Sequence, residues 1–300
     1  VQEPRFRRTE CSFRSRAGLD LFGRAWLPER PERFVLIVHG WAEHSGRYDQ
    51  VGAWLAERGC AVHAYDHRGH GRSGGPRGHL RRFDDLLDDL EIALARARGE
   101  APGLPAVVVG HSMGGLVVAA FTAGRDPEIA GAATSGAALA LADVPSRAKL
   151  TWLRLVGRIA PRVRVERPIA GDALSRDPEV GRAYAEDPLV LRRMSLGFGA
   201  ALLDAVPRTL AAAGRVRVPM LLLHGADDTL CPPEGSRRFH AGLARADGEL
   251  RIYPGLRHEI LNEPEREMVL ADLLDWMRRL DARARPDASA ARAEAVAHAG

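Results

Sequence analysis

Lysine is all but missing from this chain. Of 43 basic residues only Lys149 is a lysine, and 39 acidic residues are interspersed among the arginines. The formal charge of +4 and the pI near 9.3 therefore do not gather into a basic run interleaved with aromatics, which argues against nucleic-acid binding. Arginine without lysine, beside abundant Ala and Gly, is the mark of a GC-rich coding sequence. Cysteine is scarce as well. Cys11, Cys60 and Cys231 are too scattered for a disulfide framework and match no zinc-knuckle spacing, so the chain reads as cytoplasmic, in a reducing compartment. Val1 to Arg16 carry five arginines and no apolar stretch, unlike a signal peptide. One uncharged run, Ala101 to Gly124, is long enough to span a bilayer. It contains His111, Ser112 and internal glycines, and is better read as strand, turn and helix. A composition 46% hydrophobic and 27% charged excludes disordered, collagen-like and coiled-coil classes.

What is present is a rhythm of short apolar runs and helical stripes. Arg5 to Pro28 alternates and turns at Arg16-Ala17-Gly18, as an antiparallel hairpin does. Phe34 to Val38, Cys60 to Tyr65, Ala106 to Val109, Ile129 to Ser135, Met220 to Leu223 and Leu250 to Tyr253 read as strands, the continuous runs among them as buried on both faces. Helical spacing follows most of them, for example Leu86, Leu87, Leu90 and Leu94, or Leu270, Leu273, Trp276 and Leu280. This predicts an α/β fold: a mostly parallel central sheet with helices on both faces. Between about Ala137 and Val218 no buried strand appears, only amphipathic pieces punctuated by prolines, Pro207 among them. The expected organisation is a core over 1–136 and 219–280, an inserted helical cap over 137–218, and a loosely attached tail over 281–300.

Gly110-His111-Ser112-Met113-Gly114 fits G-x-S-x-G between a strand and a helix. A serine on such a turn projects its hydroxyl above the sheet, and the flanking glycines relieve crowding. It needs a base oriented by a carboxylate. His258 follows the strand ending at Tyr253, and Asp227 and Asp228 follow the strand Met220 to Leu223, giving the order serine, acid, histidine. Asp228 is the chosen acid, with Asp227 the weaker candidate. The two oxyanion-hole donors are expected to be the backbone N–H groups of Met113 and of Trp41, in the loop after the first parallel strand.

Several strings then carry a resemblance. His39-Gly40-Trp41-Ala42-Glu43-His44-Ser45-Gly46-Arg47-Tyr48, Asp66-His67-Arg68-Gly69-His70-Gly71-Arg72-Ser73, Gly110 to Gly115 and His258-Glu259-Ile260-Leu261-Asn262-Glu263-Pro264 resemble the monoacylglycerol lipases and related lysophospholipases. Within the cap, Leu174 to Pro178 and Tyr184 to Leu189 do so too. The resemblance implies an α/β-hydrolase fold and hydrolysis of one fatty-acyl ester of glycerol without a cofactor. It also implies that Glu43, Arg47, His111 and Tyr184 lie near the substrate, the first two and Tyr184 at its glycerol end. Glu43 and Arg47, four apart, could equally form a local salt bridge. A lysophospholipase, a broad short-chain carboxylesterase and a catalytically idle lipid-binding relative are the alternatives.

Two motifs compete. Gly69-His70-Gly71-Arg72-Ser73-Gly74 satisfies a dinucleotide fingerprint, but its glycines do not open a helix. His63, His67 and His70 with Asp66 could suggest a metal, but they straddle a strand and its turn, and local bonding is preferred. Cys231, three residues past the acid, reads as an inert buried thiol. In the cap, Leu150, Trp152, Leu153, Leu155, Val156 and Ile159, with Arg154, Arg158 and Arg162, form a basic amphipathic stretch suited to peripheral contact with an anionic membrane.

Overall fold

The computed structural model describes residues 5–142, 146, 151, 154–157 and 159–284, with side chains to 281. Strands β1 (Phe6–Arg14) and β2 (Asp20–Pro28) form the expected hairpin. They continue into β3 (Arg33–Val38), β4 (Cys60–Tyr65), β5 (Ala106–His111) and β6 (Gly131–Ser135). The sheet ends with β9 (Met220–Gly225) and β10 (Glu249–Tyr253). The eight strands run in the order β1-β2-β4-β3-β5-β6-β9-β10. Within this sheet, β1 with β2 and β2 with β4 pair antiparallel and the other pairs are parallel. Every residue of β3, β4, β5, β6 and β9 is buried, which is what their uninterrupted apolar runs require of a sheet covered on both sides.

The period of two sorts those runs onto two cores. Phe34, Leu36, Val38, Val108 and Leu222 face helices α2 (Asp84–Glu100) and α3 (Met113–Gly124). Val35, Ile37, Val109, Leu221 and Leu223 face α1 (Asp49–Ala56) and the C-terminal helix Arg266–Ala284. The parallel strands all point one way, so the loops after β3, β5, β9 and β10 meet along one sheet edge. Ligands of open parallel sheets bind there.

Between β6 and β9 the described chain holds helices α4 (Gly171–Leu174), α5 (Pro178–Glu186) and α6 (Leu196–Ala211). It also forms an exposed antiparallel pair, β7 (Arg164–Glu166) with β8 (Arg193–Ser195), which the apolar pattern does not reveal because neither strand is buried on both faces. Two expectations are corrected. Pro207 lies inside α6 rather than at an element boundary; a proline removes one helical N–H but does not end a helix that packs Phe198 and Ala205 into the core. The C-terminal helix continues through Asp281, whose carboxylate holds the Arg33 guanidinium at 2.6 Å, so the core does not stop at 280. Leu150, Trp152, Leu153 and Arg158 of the amphipathic stretch, and the tail from 285 on, fall outside the described residues.

Candidate active site

Ser112 sits between β5 and α3 with φ +53° and ψ −117°, a left-handed conformation that few L residues adopt. Its flanking glycines are needed for space. A Cβ on Gly110 would lie 2.3 Å from the Gly114 carbonyl oxygen, and one on Gly114 would lie 2.1 Å from that of Val38. The turn is tied down by Ser112 N–H donating to Ser135 O and Ala138 N–H donating to Ser112 O, each at 2.9 Å. Next to it, His111 Nδ1 lies 3.0 Å from Ser135 O, and its ring stands 4.8 Å from that of His258. Burial keeps His111 neutral, down to about 3.

The loops after β9 and β10 bring Asp228 and His258 together. His258 Nδ1 lies 2.7 Å from Asp228 Oδ2, and both side chains are buried. Asp228 Oδ1 accepts the N–H groups of Leu230 and Cys231 at 2.9 and 2.8 Å. Burial alone would raise this carboxyl; hydrogen bonds from His224 and His258 outweigh it and hold Asp228 well below the usual range. Burial likewise opposes charge on His258, but Asp228, joined by Glu259 and Glu43, raises it above an ordinary histidine. Asp227 is exposed and uses its backbone N–H on Leu256 O. His224, which sequence reasoning missed, supports Asp228 Oδ2 through Nε2 at 3.1 Å and is itself held by Ser236 Oγ at 2.8 Å. Burial pushes the Cys231 thiol well above the usual range.

The loop after β3 approaches the elbow closely enough that a Cβ on Gly40 would lie 3.0 Å from Ser112 Cβ. Ala42 adopts φ +69° there. Trp41 N–H has no acceptor among the described residues, and Met113 N–H belongs to the first turn of α3, whose donors lack intrahelical partners. The Trp41 indole packs edge-on against Phe198 (4.8 Å) and His70 (5.2 Å). Glu43 anchors the loop: Oε1 accepts Gly40 N–H at 2.5 Å and Tyr48 Oη–H at 2.8 Å, while Oε2 meets Arg47 at 3.1 Å. The spacing of four thus produces the salt bridge. Arg47 is also gripped by Glu259, Nη1 to Oε1 at 2.6 Å and Nη2 to Oε2 at 2.9 Å. From the cap, Tyr184 lies over Arg47, ring centroid 4.9 Å from the guanidinium carbon, with its buried hydroxyl unpartnered. Glu259 had no signal in the spacing, since its partner stands 212 residues away.

The competing motifs find local roles. Asp66 accepts from Ser45 N–H, Ser45 Oγ–H and Arg72 N–H at 2.6–2.7 Å, and a Cβ on Gly71 would lie 2.0 Å from its Oδ2. That bond, not a phosphate, accounts for the glycine there. His67 and His70 pack against His39 beneath the loop, whereas His63 stacks on Phe34, so the three do not converge.

A family model described as serine aminopeptidase, S33, matches residues 29–265. The chain belongs to that family. It is 39% identical over 272 residues to a monoacylglycerol lipase of Mycolicibacterium smegmatis, covering 90% of this chain and 97% of the relative. It is 33% identical over 249 residues to the Homo sapiens monoglyceride lipase, covering 82% of each. The crystal structure of a Paleococcus ferrophilus monoacylglycerol lipase superposes with a TM-score of 0.77 at 31% identity, over 92% of this chain and 99% of that one. The fold is therefore that of the α/β hydrolases, as the sequence predicts, and the chain is a serine ester hydrolase.

Proposed function

We propose that the enzyme cleaves monoacylglycerol to fatty acid and glycerol. The observation that carries this reading is the 2.7 Å bond between His258 and Asp228 beside the strained Ser112 elbow, in a chain so closely similar to a monoacylglycerol lipase. Ser112 Oγ attacks the ester carbonyl while His258 Nε2 takes its proton, and Asp228 holds the imidazole and stabilises its charged form. The N–H groups of Trp41 and Met113 receive the oxyanion. Collapse of the tetrahedral intermediate expels glycerol, protonated by His258, and leaves acyl-Ser112. His258 then takes a proton from water as the water oxygen attacks the acyl carbonyl, and returns it to Ser112 Oγ as that ester bond breaks and the fatty acid leaves. His111 and Tyr184 border the reacting ester, and the free Tyr184 hydroxyl is suited to a glycerol hydroxyl.

The test is turnover of 1-octanoylglycerol, dioctanoylglycerol, lysophosphatidylcholine and p-nitrophenyl butyrate by the purified enzyme. A clear preference for the monoacylglycerol supports the reading. Equal kcat/KM on lysophosphatidylcholine would make it a lysophospholipase, preference for the butyrate a short-chain esterase, and no turnover at all an idle relative.

Among the described residues no helix is long and apolar enough to cross a membrane. Peripheral contact belongs to this proposal: Leu155, Ile159 and Val163 are 56%, 76% and 51% exposed, near Arg162 and Arg164. Leu155→Ser with Ile159→Ser should weaken co-sedimentation with anionic vesicles and spare p-nitrophenyl butyrate hydrolysis. Wild type that does not co-sediment at low salt would refute the contact.

A further inference from the structure

The planar guanidinium of an arginine is well shaped to receive a phosphate or carboxylate in two parallel hydrogen bonds. Arg47 is not free to do so. Both terminal nitrogens are taken up by Glu259, and Nη1 also meets Glu43. All three side chains are nearly inaccessible, at 10% or less. Burial, with Glu259 alongside, raises the Glu43 carboxyl, but its oxygens accept from Gly40 N–H, Tyr48 Oη–H and Arg47, the donor set of a carboxylate. Burial favours the neutral acid of Glu259, yet Arg47 outweighs it and brings that carboxyl down to about 2. The cluster therefore holds two carboxylates for one guanidinium, a net charge of −1, with the Asp228 carboxylate close by behind His258. Arg192, the other cation felt by Tyr184, is turned to the Ala185 carbonyl.

The cluster adjoins the nucleophile and its base. Gly40, whose N–H Glu43 receives, is in contact range of Ser112, and Glu259 directly follows His258. Tyr184 lies over Arg47 from the cap. We infer that Glu259 is a specificity-determining residue: by cancelling Arg47 it makes the site reject esters with an anionic headgroup and accept neutral polyol esters. This rests on the proposed ester-hydrolase reading and narrows its substrate class. A neutral polyol meets no charge–charge penalty beside this buried cluster, whereas a phosphate must approach against a like charge in a partly desolvated site. At an effective dielectric near 20, one unit of charge within several ångströms is worth at least about tenfold in affinity.

The experiment compares kcat/KM for 1-octanoylglycerol and 1-octanoyl lysophosphatidic acid, both below their micelle-forming concentrations, in wild type and Glu259→Gln. The glutamine keeps the shape and one acceptor for Arg47 while removing the charge. Wild type should prefer the glycerol ester by about 100-fold or more, the phosphate's two charges each contributing about tenfold. The variant should narrow that ratio at least about tenfold, through a gain on the anionic ester. A purely structural Glu259 would lower both substrates together, and an unchanged ratio with the glycerol ester still cleaved would overturn this proposal alone. The wild-type ratio is decisive even if the variant does not fold: similar rates on the two esters would overturn the proposal. Failure of wild type on both lysolipids while p-nitrophenyl butyrate is cleaved would defeat the functional reading and this inference with it.

Discussion

Asp228 meets four donors within its own turn and its neighbour's: two backbone N–H groups, His224 and His258. Asp227 faces solvent one residue earlier. The account predicts that Asp228→Asn lowers kcat by about 10⁴-fold, since an amide leaves the imidazole in the wrong tautomer. Asp227→Asn should stay close to wild type, and the reverse ranking would reassign the acid. The pH profile carries the same information. Asp228 raises His258 above an ordinary histidine, so kcat/KM should fall on acidification through a value above 6.5 as the base becomes protonated. In residual-activity measurements on Asp228→Asn that limb should move to lower pH; a stationary limb would assign it to another group. The placement of Ser112, Asp228 and His258 in loops after strands of the parallel sheet was legible from chain order. His224 and Glu259 were not, because their roles come from contacts that chain order does not encode.

At the scale of elements, the buried strands and the helices over them were readable from apolar runs and period. Boundaries set by single polar contacts were not. The C-terminal helix illustrates this: its alanine-and-charge ending has no apolar face, yet Asp281 binds Arg33, which is only 5% exposed, at the start of β3. Breaking a fully buried pair costs about 3–5 kcal/mol. Asp281 keeps a fifth of its side chain accessible, so Asp281→Ala should cost roughly 2 kcal/mol, discounted for solvent screening. Urea unfolding should show a lower midpoint at unchanged slope, with esterase activity intact at zero denaturant. An unaltered midpoint would mean that this helix end contributes nothing to the core. The exposed β7–β8 pair escaped sequence reading for a related reason: short strands with little burial leave no hydrophobic imprint.

At the scale of the whole molecule, five histidines among the described residues are buried in their neutral form: His39, His63, His67, His70 and His111. Burial, the largest influence on each, lowers them, to about 4 for His63 and His70 and about 3 for His67 and His111. In the unfolded chain they take up protons near pH 6.5. Below that pH the unfolded state binds more protons, and each histidine removes about 1.4 kcal/mol of stability per pH unit until its folded value is reached. His258 acts in the opposite sense, favouring the folded state on the acid side. The balance predicts cooperative acid unfolding by about pH 5, seen as a steep fall in Tm below pH 6.5. A Tm that holds down to pH 4 would show that these rings are hydrated. The central claim is more direct: a chain of this fold uses Ser112 to cleave a neutral glycerol ester. Fatty acid released from 1-octanoylglycerol by wild type and by Ser112→Ala, each shown to be folded, tests it. The account predicts steady release by wild type and a loss of several orders of magnitude in the alanine variant; comparable release by the two proteins would contradict it.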